Sequence, residues 1–310
     1  MLVFYEEVIM RNIPKRIFYS WGINEPIKKD AAKCMLTWYD KLSNYEIIEI
    51  NENSVEYFNF KKELKENKWF SEVYKRKMYA YVSDYIRVKV LYEHGGIYLD
   101  TDVSVLQNFD DILEAPCFVG LHSTIEGENL LEPAILGAQK NNTFIKKALD
   151  FYDESIWKEH VYIIPQIFKL ILENKYGNFE CLPKNKQEIV KYDDIWIYPE
   201  SYFVPFHSNQ LFTFKCIEDN THTIHWFNGS WCKDDIFYFL DNKHRIPLNK
   251  IDEAYKKHLL WKKRQSENVN YSDKNINLIQ RIFSIKNSAN KKHKIIRLLG
   301  FKIKIKRGNI

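Results

Sequence analysis

The chain has 310 residues, 45% of them hydrophobic, 28% charged and 15% aromatic, a composition that excludes a disordered chain. Its formal charge of +5 hides a division: sixteen of the 46 Lys and Arg, but two of the 41 acids, lie from Lys256 onward, so the tail carries +14 and the first 255 residues −9. An acidic body argues against nucleic acid as the partner and leaves the tail as the segment suited to an anionic surface.

The five cysteines, Cys34, Cys117, Cys181, Cys216 and Cys232, are odd in number, widely spaced and without a C-x-x-C pair, which speaks against a disulfide scaffold or a zinc ribbon. The opening Met-Leu-Val-Phe-Tyr-Glu-Glu lacks the basic start of a signal peptide. No run reaches the roughly 18 apolar residues that a bilayer span needs. The oiliest stretch, Val161 to Leu172, is broken by Pro165, Gln166 and Lys169. The expectation is a soluble protein of a reducing, cytoplasmic compartment.

In chain order, Ile13 to Ser20 reads as a short strand with Trp21-Gly22 at the turn after it. Lys28 to Leu42 has helical spacing, with Ala32, Met35, Leu36 and Tyr39 as the apolar face, and Tyr45 to Ile50 is a second strand. Strand, helix and strand within fifty residues predict an α/β layer fold with a partly parallel sheet. Lys75 to His94 is a long helix whose face is Met78, Val82, Tyr85, Ile86 and Val90, ended by Gly95-Gly96. Ile97 to Asp100 is a strand that stops in Asp-Thr-Asp, and Val103 to Leu106 resumes β character. Cys117 to Leu121 is a strand, Thr143 to Tyr152 a helix, and Ile195 to Phe206, with Pro199 and Pro205, a strand-and-turn segment at a sheet edge. Thr221 to Trp231 closes the body as strand and loop. The body is expected to be one domain over 1–255, followed by a basic, partly amphipathic helical tail over 256–310.

Chemistry concentrates between Ser83 and Asp102. On an extended segment residues i and i+2 point the same way, so Asp100 and Asp102 would face one spot at the carboxyl end of a strand. Converging carboxylates there are costly unless a cation sits between them, and hard oxygen ligands suit Mg²⁺ or Mn²⁺ bridging to a diphosphate. A bare Asp-x-Asp also fits a solvated acidic turn; the oily Ile-Tyr-Leu before it favours burial. Asp84 and Arg87, at i and i+3, share a helical face, either as a solvated ion pair or leaning over the strand end, where Asp84 accepts sugar hydroxyls and Arg87 meets phosphate. His225 is a packed core imidazole or, beside Asp102, a third metal ligand.

Asp-x-x-Arg, seven residues, then Gly-Gly-x-Tyr-x-Asp-x-Asp resembles the DXD glycosyltransferases of glycosyltransferase family 32, and more distantly the sugar-transferring domain of large clostridial toxins. Ile13-Pro14-Lys15 leading to Tyr19 and Trp21-Gly22, the Tyr198-Pro199 to Pro205 segment, and His225 to Trp231 are similar to further landmarks of that family; Phe18 stands where many members have His. The resemblance covers roughly residues 12 to 235. It implies a GT-A nucleotide-sugar-binding fold, a Rossmann-like mixed sheet flanked by helices. It implies donor contacts at Tyr19, Trp21, Ser83, Asp84, Arg87, Gly96, Tyr98 and Asp100, with Trp21 stacked on the base, and at Ser230 and Trp231 on a closing loop. Metal would be held by Asp102, His225 and Asp100. The family's Thr-Gly-Pro stretch is Ile163-Ile164-Pro165 here, and Glu132, His122 and Asp193-Asp194 read as ordinary surface rather than acceptor contacts.

The reaction implied is retaining transfer of a hexose from a nucleotide sugar, UDP-linked by resemblance, to a glycan or lipid-linked oligosaccharide, with Mn²⁺ or Mg²⁺ steadying the leaving diphosphate. Two other readings stay open: a metal-dependent phosphohydrolase or nuclease, which needs further acidic clusters for a second ion, and a non-catalytic binder acting through the tail. In that tail Ile295, Ile296, Leu298, Leu299 and Phe301 are interleaved with Lys291, Lys292, Lys294, Arg297 and Lys302, a pattern suited to the inner face of an anionic membrane or to packing on the body.

Overall fold

The computed structural model of the chain describes residues 13–21, 26–123, 129–177, 188–207, 210–227 and 234–263 in full, and 264–267, 283–287, 293–298 and 301–306 as backbone. The chain divides into two compact units, Met1–Trp231 and Cys232–Ile310.

The first unit runs β1 (Arg16–Ser20), α1 (Lys29–Lys41), β2 (Glu46–Ile50), α2 (Phe60–Glu66), α3 (Lys68–Lys75), α4 (Tyr79–His94), β3 (Gly96–Leu99), β4 (Val103–Val105), β5 (Cys117–Ser123), β6 (Asn129–Ala138), α5 (Thr143–Asp150), α6 (Ile164–Tyr176), β7 (Val190–Lys191), β8 (Trp196–Tyr198), α7 (Glu200–Phe203) and β9 (Thr223–His225). Seven strands form one mixed sheet in the order β2-β1-β3-β6-β5-β8-β7, and β4 pairs with β9 in a separate ribbon. β1 lies parallel to β2 and β3, and β5 parallel to β8, while β6 runs antiparallel between β3 and β5. This is the expected α/β architecture, a mixed sheet flanked by helices.

The parallel pairing of β1 with β3 sets Ile17 against Ile97 and Phe18 against Tyr98, so both strands end at one sheet edge. Trp21 follows β1 and Asp100 follows β3 there. Core side chains from both strands, including Ile17, Ile97 and Leu99, are fully buried. Each contributes on the order of 1.5–3 kcal/mol by leaving water.

Three local expectations need correction. The buried face of α1 is Ala31, Cys34, Met35 and Trp38, and Leu36 and Tyr39 are 68% and 59% exposed. The indole decides the rotation: Trp38 is fully buried and its Nε1–H donates to the Val103 carbonyl at 2.7 Å, tying α1 to β4. β8 is not the sheet edge, because the two-residue β7 covers it. In the second unit, α8 (Asp234–Asn242) and α9 (Leu248–Glu267) are followed not by further helix but by an antiparallel sheet of β10 (Phe283–Asn287), β11 (His293–Leu298) and β12 (Phe301–Lys306). The alternation Lys302-Ile303-Lys304-Ile305-Lys306 has a period of two, which segregates its residue types on the faces of a strand and not of a helix.

Gly95 and Gly96 belong to the fold. They take φ of 67° and 131°, and a Cβ would stand 2.7 Å from the Lys140 nitrogen at Gly95 and 2.9 Å from the Arg16 carbonyl oxygen at Gly96. The chain leaves α4 and enters β3 through a passage that only glycine fits. Gly95→Ala and Gly96→Ala are each expected to lower stability by roughly 1–3 kcal/mol, read as a lower urea midpoint at unchanged m-value; wild-type midpoints would show that the passage tolerates a side chain.

Candidate functional site

α4 is buried almost all round, with Tyr81, Val82, Asp84, Tyr85, Ile86, Arg87, Val88, Val90 and Leu91 inside, so its Asp84–Arg87 face is no solvated ion pair. The Arg87 guanidinium, 3% exposed, has Nη2 at 3.1 Å from Asp84 Oδ1 and 2.9 Å from Asp100 Oδ1. Its Nη1 donates to the Pro133 carbonyl at 2.6 Å, and its plane lies 4.8 Å from the Tyr98 ring centroid. The fork expected to reach a substrate phosphate is therefore committed to the protein, holding Asp100 to α4. Removing it would leave two buried carboxylates uncompensated, at a cost of about 3–5 kcal/mol. Burial pushes the Asp84 carboxyl up to about 7 and the Asp100 carboxyl up to about 6, against the pull of Arg87 on both.

Asp100 and Asp102 converge differently from the expectation. Thr101 and Asp102 form a turn, with the Val103 amide donating to the Asp100 carbonyl at 3.1 Å, so the two carboxylates do not share an extended strand. The β4–β9 ribbon supplies the third group. Val103 pairs with His225, and the Trp226 amide donates to the Asp102 carbonyl at 3.0 Å. One ligand atom each from Asp100, Asp102 and His225 lies within 4.8 Å of the others.

Glu132, expected at the surface, is 9% exposed beside this trio. Between Val119 and Gly120 the β5–β6 register jumps from Leu136 to Glu132. The β6 residues skipped do site work: the Pro133 carbonyl meets Arg87, and the Ala134 carbonyl accepts from the Asp100 amide at 2.9 Å. Pro133 has no amide to give a ladder, and a proline within a strand pattern is the signal that could have pointed here. The imidazole of His225 stands between two acids, with Nε2 3.4 Å from Asp102 Oδ1 and Nδ1 3.6 Å from Glu132 Oε2. Nδ1 is buried and has no hydrogen-bond partner at these distances. Burial disfavours the imidazolium, but Glu132 and Asp102 outweigh it and raise the His225 pKa well above its ordinary value. Glu132 is pushed up by burial and pulled down further by His225, ending below the usual range.

Two carboxylates and an imidazole whose Nε2 faces Asp102 fit a divalent cation. The carboxylate behind the imidazole is the second shell such ligands use. Phe227 packs on His225 at a ring distance of 4.3 Å with φ of 51°, a left-handed backbone unusual for a bulky residue.

The other expected donor contacts divide. Trp21 is half-buried at the sheet edge that carries Asp100. Tyr19 is buried against Trp38 and its hydroxyl donates to Glu49 at 3.4 Å, so it faces the core. Tyr98 is fully buried, its hydroxyl within 2.8 Å of Ser20 Oγ and its ring under Arg87, and Ser83 Oγ lies 3.4 Å from Arg87 Nη2. Both support Arg87 rather than line the edge. Gly96 opens β3 at the end opposite Asp100. Ser230 and Trp231 lie outside the described residues. Asp194 is a buried structural anion held by Lys175, Tyr176 and Thr143, while Asp193 is exposed.

The family described as "Glycosyltransferase sugar-binding region containing DXD motif" matches residues 28–119, a stretch that contains Asp84, Arg87, Asp100 and Asp102. Glucan organizing enzyme 1 of Cryptococcus neoformans var. grubii is 34% identical over 98 residues, covering 29% of this chain and 27% of that protein. An uncharacterized Arabidopsis thaliana protein is 28% identical over 160 residues, 49% of this chain and 22% of its own length. The chain thus spans about a quarter of the curated relatives it matches. Two solved structures are similar. PaToxG glycosyltransferase has a TM-score of 0.43 and 20% identity, covering 54% of this chain and 71% of that one. A glycosyltransferase involved in glycosylation of the major capsid of PBCV-1 has a TM-score of 0.35 and 13% identity, covering 68% and 92%.

A cation bound by this trio would displace protons: burial raises the Asp100 carboxyl to about 6 and the flanking acids raise His225 well above its ordinary value, so Mn²⁺ affinity is expected to rise between pH 5.5 and 8 as Asp100 deprotonates, with His225 releasing its proton on binding. Titration calorimetry in two buffers of different ionisation enthalpy checks this; a flat affinity across that range, with no proton release, would contradict the arrangement.

Proposed function

We propose that this chain is a metal-dependent, GT-A type glycosyltransferase that moves a hexose from a nucleotide sugar, UDP-linked, to a hydroxyl of a glycan or lipid-linked oligosaccharide with retention of configuration. The carrying observation is the convergence of Asp100, Asp102 and His225 at the carboxyl edge of the sheet, with both carboxylates inside the stretch that matches the DXD sugar-binding family. Mn²⁺ or Mg²⁺, held by Asp102, His225 and Asp100, supplies neutralisation of the charge that develops on the departing diphosphate.

The protein's own groups do the rest. Arg87 fixes Asp100 through a 2.9 Å ion pair and so acts as a positioning residue. Asp84, whose carboxyl burial raises to about 7 against the pull of Arg87, is the helix-borne group that would meet a sugar hydroxyl. Glu132 faces the Nδ1 side of His225 and orients the opposite nitrogen toward Asp102. Glu132 Oε1 also accepts from the Ala134 amide at 3.1 Å, and so engaged it is a poor candidate for a covalent nucleophile. This favours departure and attack on the same face of the sugar, with the leaving phosphate taking the acceptor proton. Trp21 as the base-stacking ring, and Ser230 and Trp231 as lid contacts, are carried over by resemblance.

The tail supplies a location: the inner face of a cell membrane, where a surface polysaccharide grows on a lipid. No helix among the described residues is long and apolar enough to cross a membrane. On α9, Leu259, Leu260 and Trp261 are 41%, 58% and 58% exposed, and Lys256, Lys257, Lys262 and Lys263 flank them. Apolar side chains set among cations suit an anionic interface.

A donor screen with Mn²⁺, reading nucleotide release, is expected to single out a UDP-hexose. Asp102→Asn should lower release about 100- to 1,000-fold, as losing several kcal/mol of transition-state stabilisation requires. Release that persists in EDTA and in Asp102→Asn would sink the metal-dependent reading, and a β-linked product from an α-linked donor, followed by NMR, would sink retention. Vesicles containing phosphatidylserine are expected to sediment the full chain but much less of a truncation ending before Asn290, and salt should release it; equal sedimentation would remove the segment beyond 290 as anchor.

A further inference from the structure

A second set of ligating side chains borders the first, with His122 within electrostatic reach of both Glu132 and Glu200. His122 is near the end of β5, Glu200 opens α7, and His207 follows α7. One ligand atom from each lies within 4.8 Å of the others. His207 Nε2 is 3.7 Å from Glu200 Oε2, and the two imidazole centroids are 5.5 Å apart. Glu200 is held in place, because its Oε1 accepts a hydrogen bond from the Ser123 backbone amide, which leaves Oε2 directed at His207.

An ion pair between Glu200 and His207 would account for those two residues and not for His122. The Nδ1 of His122 is buried and has no hydrogen-bond partner among the described residues. An unpartnered buried nitrogen is costly unless something meets it. A cation between the three groups would satisfy Glu200 and both imidazoles together.

We infer that His122, Glu200 and His207 form a second metal site, of a kind that takes Zn²⁺. Two imidazoles and one carboxylate are a zinc ligand set with a fourth position left for water. The Asp100–Asp102–His225 set is harder, with two carboxylates to one imidazole, so the two sites differ in preference. Closing the three ligands onto zinc needs small side-chain movements, since bonds of about 2.0–2.2 Å place tetrahedral ligand atoms closer together than they stand here.

The site joins segments otherwise linked through the fold: the end of β5, the start of α7 and the chain beyond it. It also borders the first site. Phe227 packs on His122 at 5.4 Å and on His225 at 4.3 Å. Zinc at the second site would therefore brace the aromatic wall against which the ligand His225 rests, a role separate from catalysis and independent of the donor.

The test uses the full chain, stripped of metal and dialysed against zinc alone, with bound metal counted by atomic emission. Wild type is expected to bind one more equivalent than His207→Ala, and Asp102→Asn to keep the equivalent that His207→Ala loses. Zinc should raise the thermal midpoint of wild type and Asp102→Asn by several degrees, and that of His207→Ala by clearly less. His207 is 29% exposed, so its removal should leave the metal-free protein folded, checked by an unchanged urea midpoint. His122→Ala, more deeply placed, repeats the count where it folds. Equal zinc in wild type and His207→Ala, or loss of all zinc in Asp102→Asn, would overturn the site. Because the readout is stoichiometry rather than sugar transfer, failure here leaves the proposed activity untouched, and failure of the activity leaves this site standing.

Discussion

Arg87 carries the positive charge on which this arrangement depends. Its guanidinium lies inside the protein between Asp84 on its own helix and Asp100 at the end of β3, and its remaining reach goes to the Pro133 carbonyl. Burying any one of these three charges alone would cost several kcal/mol; together they join a core helix, a strand end and an irregular stretch of β6. Tyr98, stacked beneath the guanidinium, and Gly96, which lets β3 pass close to Arg16, belong to the same support. The residues of the Asp84 to Asp102 block therefore divide by task. Asp100 faces outward to the candidate site, while Arg87, Tyr98 and Gly96 hold it there.

A second constraint acts across a long stretch of chain. Asp102 and His225 are far apart in sequence and meet because β4 and β9 form their own ribbon off the main sheet. The indole of Trp38 braces β4 from α1, and Trp226 closes the other side with its amide on Asp102 and its Nε1 on Ser104. Glu132 then reaches His225 from β6 by means of the register jump. Three separate segments thus supply the candidate site, and each owes its position to a backbone feature: a strand end running into a turn, a two-stranded ribbon and a bulge. Loops and irregular edges on a rigid scaffold are where such groups usually gather.

These origins explain which parts could be read from the sequence. Asp100 and Asp102 were legible because an oily strand running into two acids is locally unusual, and α4 because its apolar period and terminal Gly95 agree. The reason for their convergence was not legible: period-two alternation suggested a shared strand face, and a turn does the work instead. Arg87 read as a phosphate ligand because its burial depends on Pro133, a residue 46 positions away. Glu132 read as surface because neither hydrophobic period nor charge pattern encodes a jump in pairing register. On α1 the apolar residues Leu36 and Tyr39 suggested one face, but a single buried indole with a hydrogen bond to satisfy turned the helix to another. Local signals describe elements; which face is buried is settled by partners that lie elsewhere in the chain.

Charge compensation links the site to the body that carries it. Asp100, Asp102 and Glu132 surround one imidazole, and that imidazole responds by holding its proton well past its ordinary range. The imidazolium thus takes the place a cation would take, and it does so without leaving a buried carboxylate bare. Carboxylates gathered this closely need positive charge among them, and a proton on His225 or a metal ion supplies it on the side away from Arg87. Arg87 compensates Asp100 at 2.9 Å and Asp84 at 3.1 Å, which leaves Asp102 and Glu132 to the imidazole between them. The same reasoning separates the two sets of ligands on either side of Phe227. Around His225 acids outnumber the imidazole, so a proton and a metal ion compete for one place. Around Glu200 imidazoles outnumber the acid, and the Glu200–His207 contact still leaves His122 Nδ1 without a hydrogen-bond partner among the described residues.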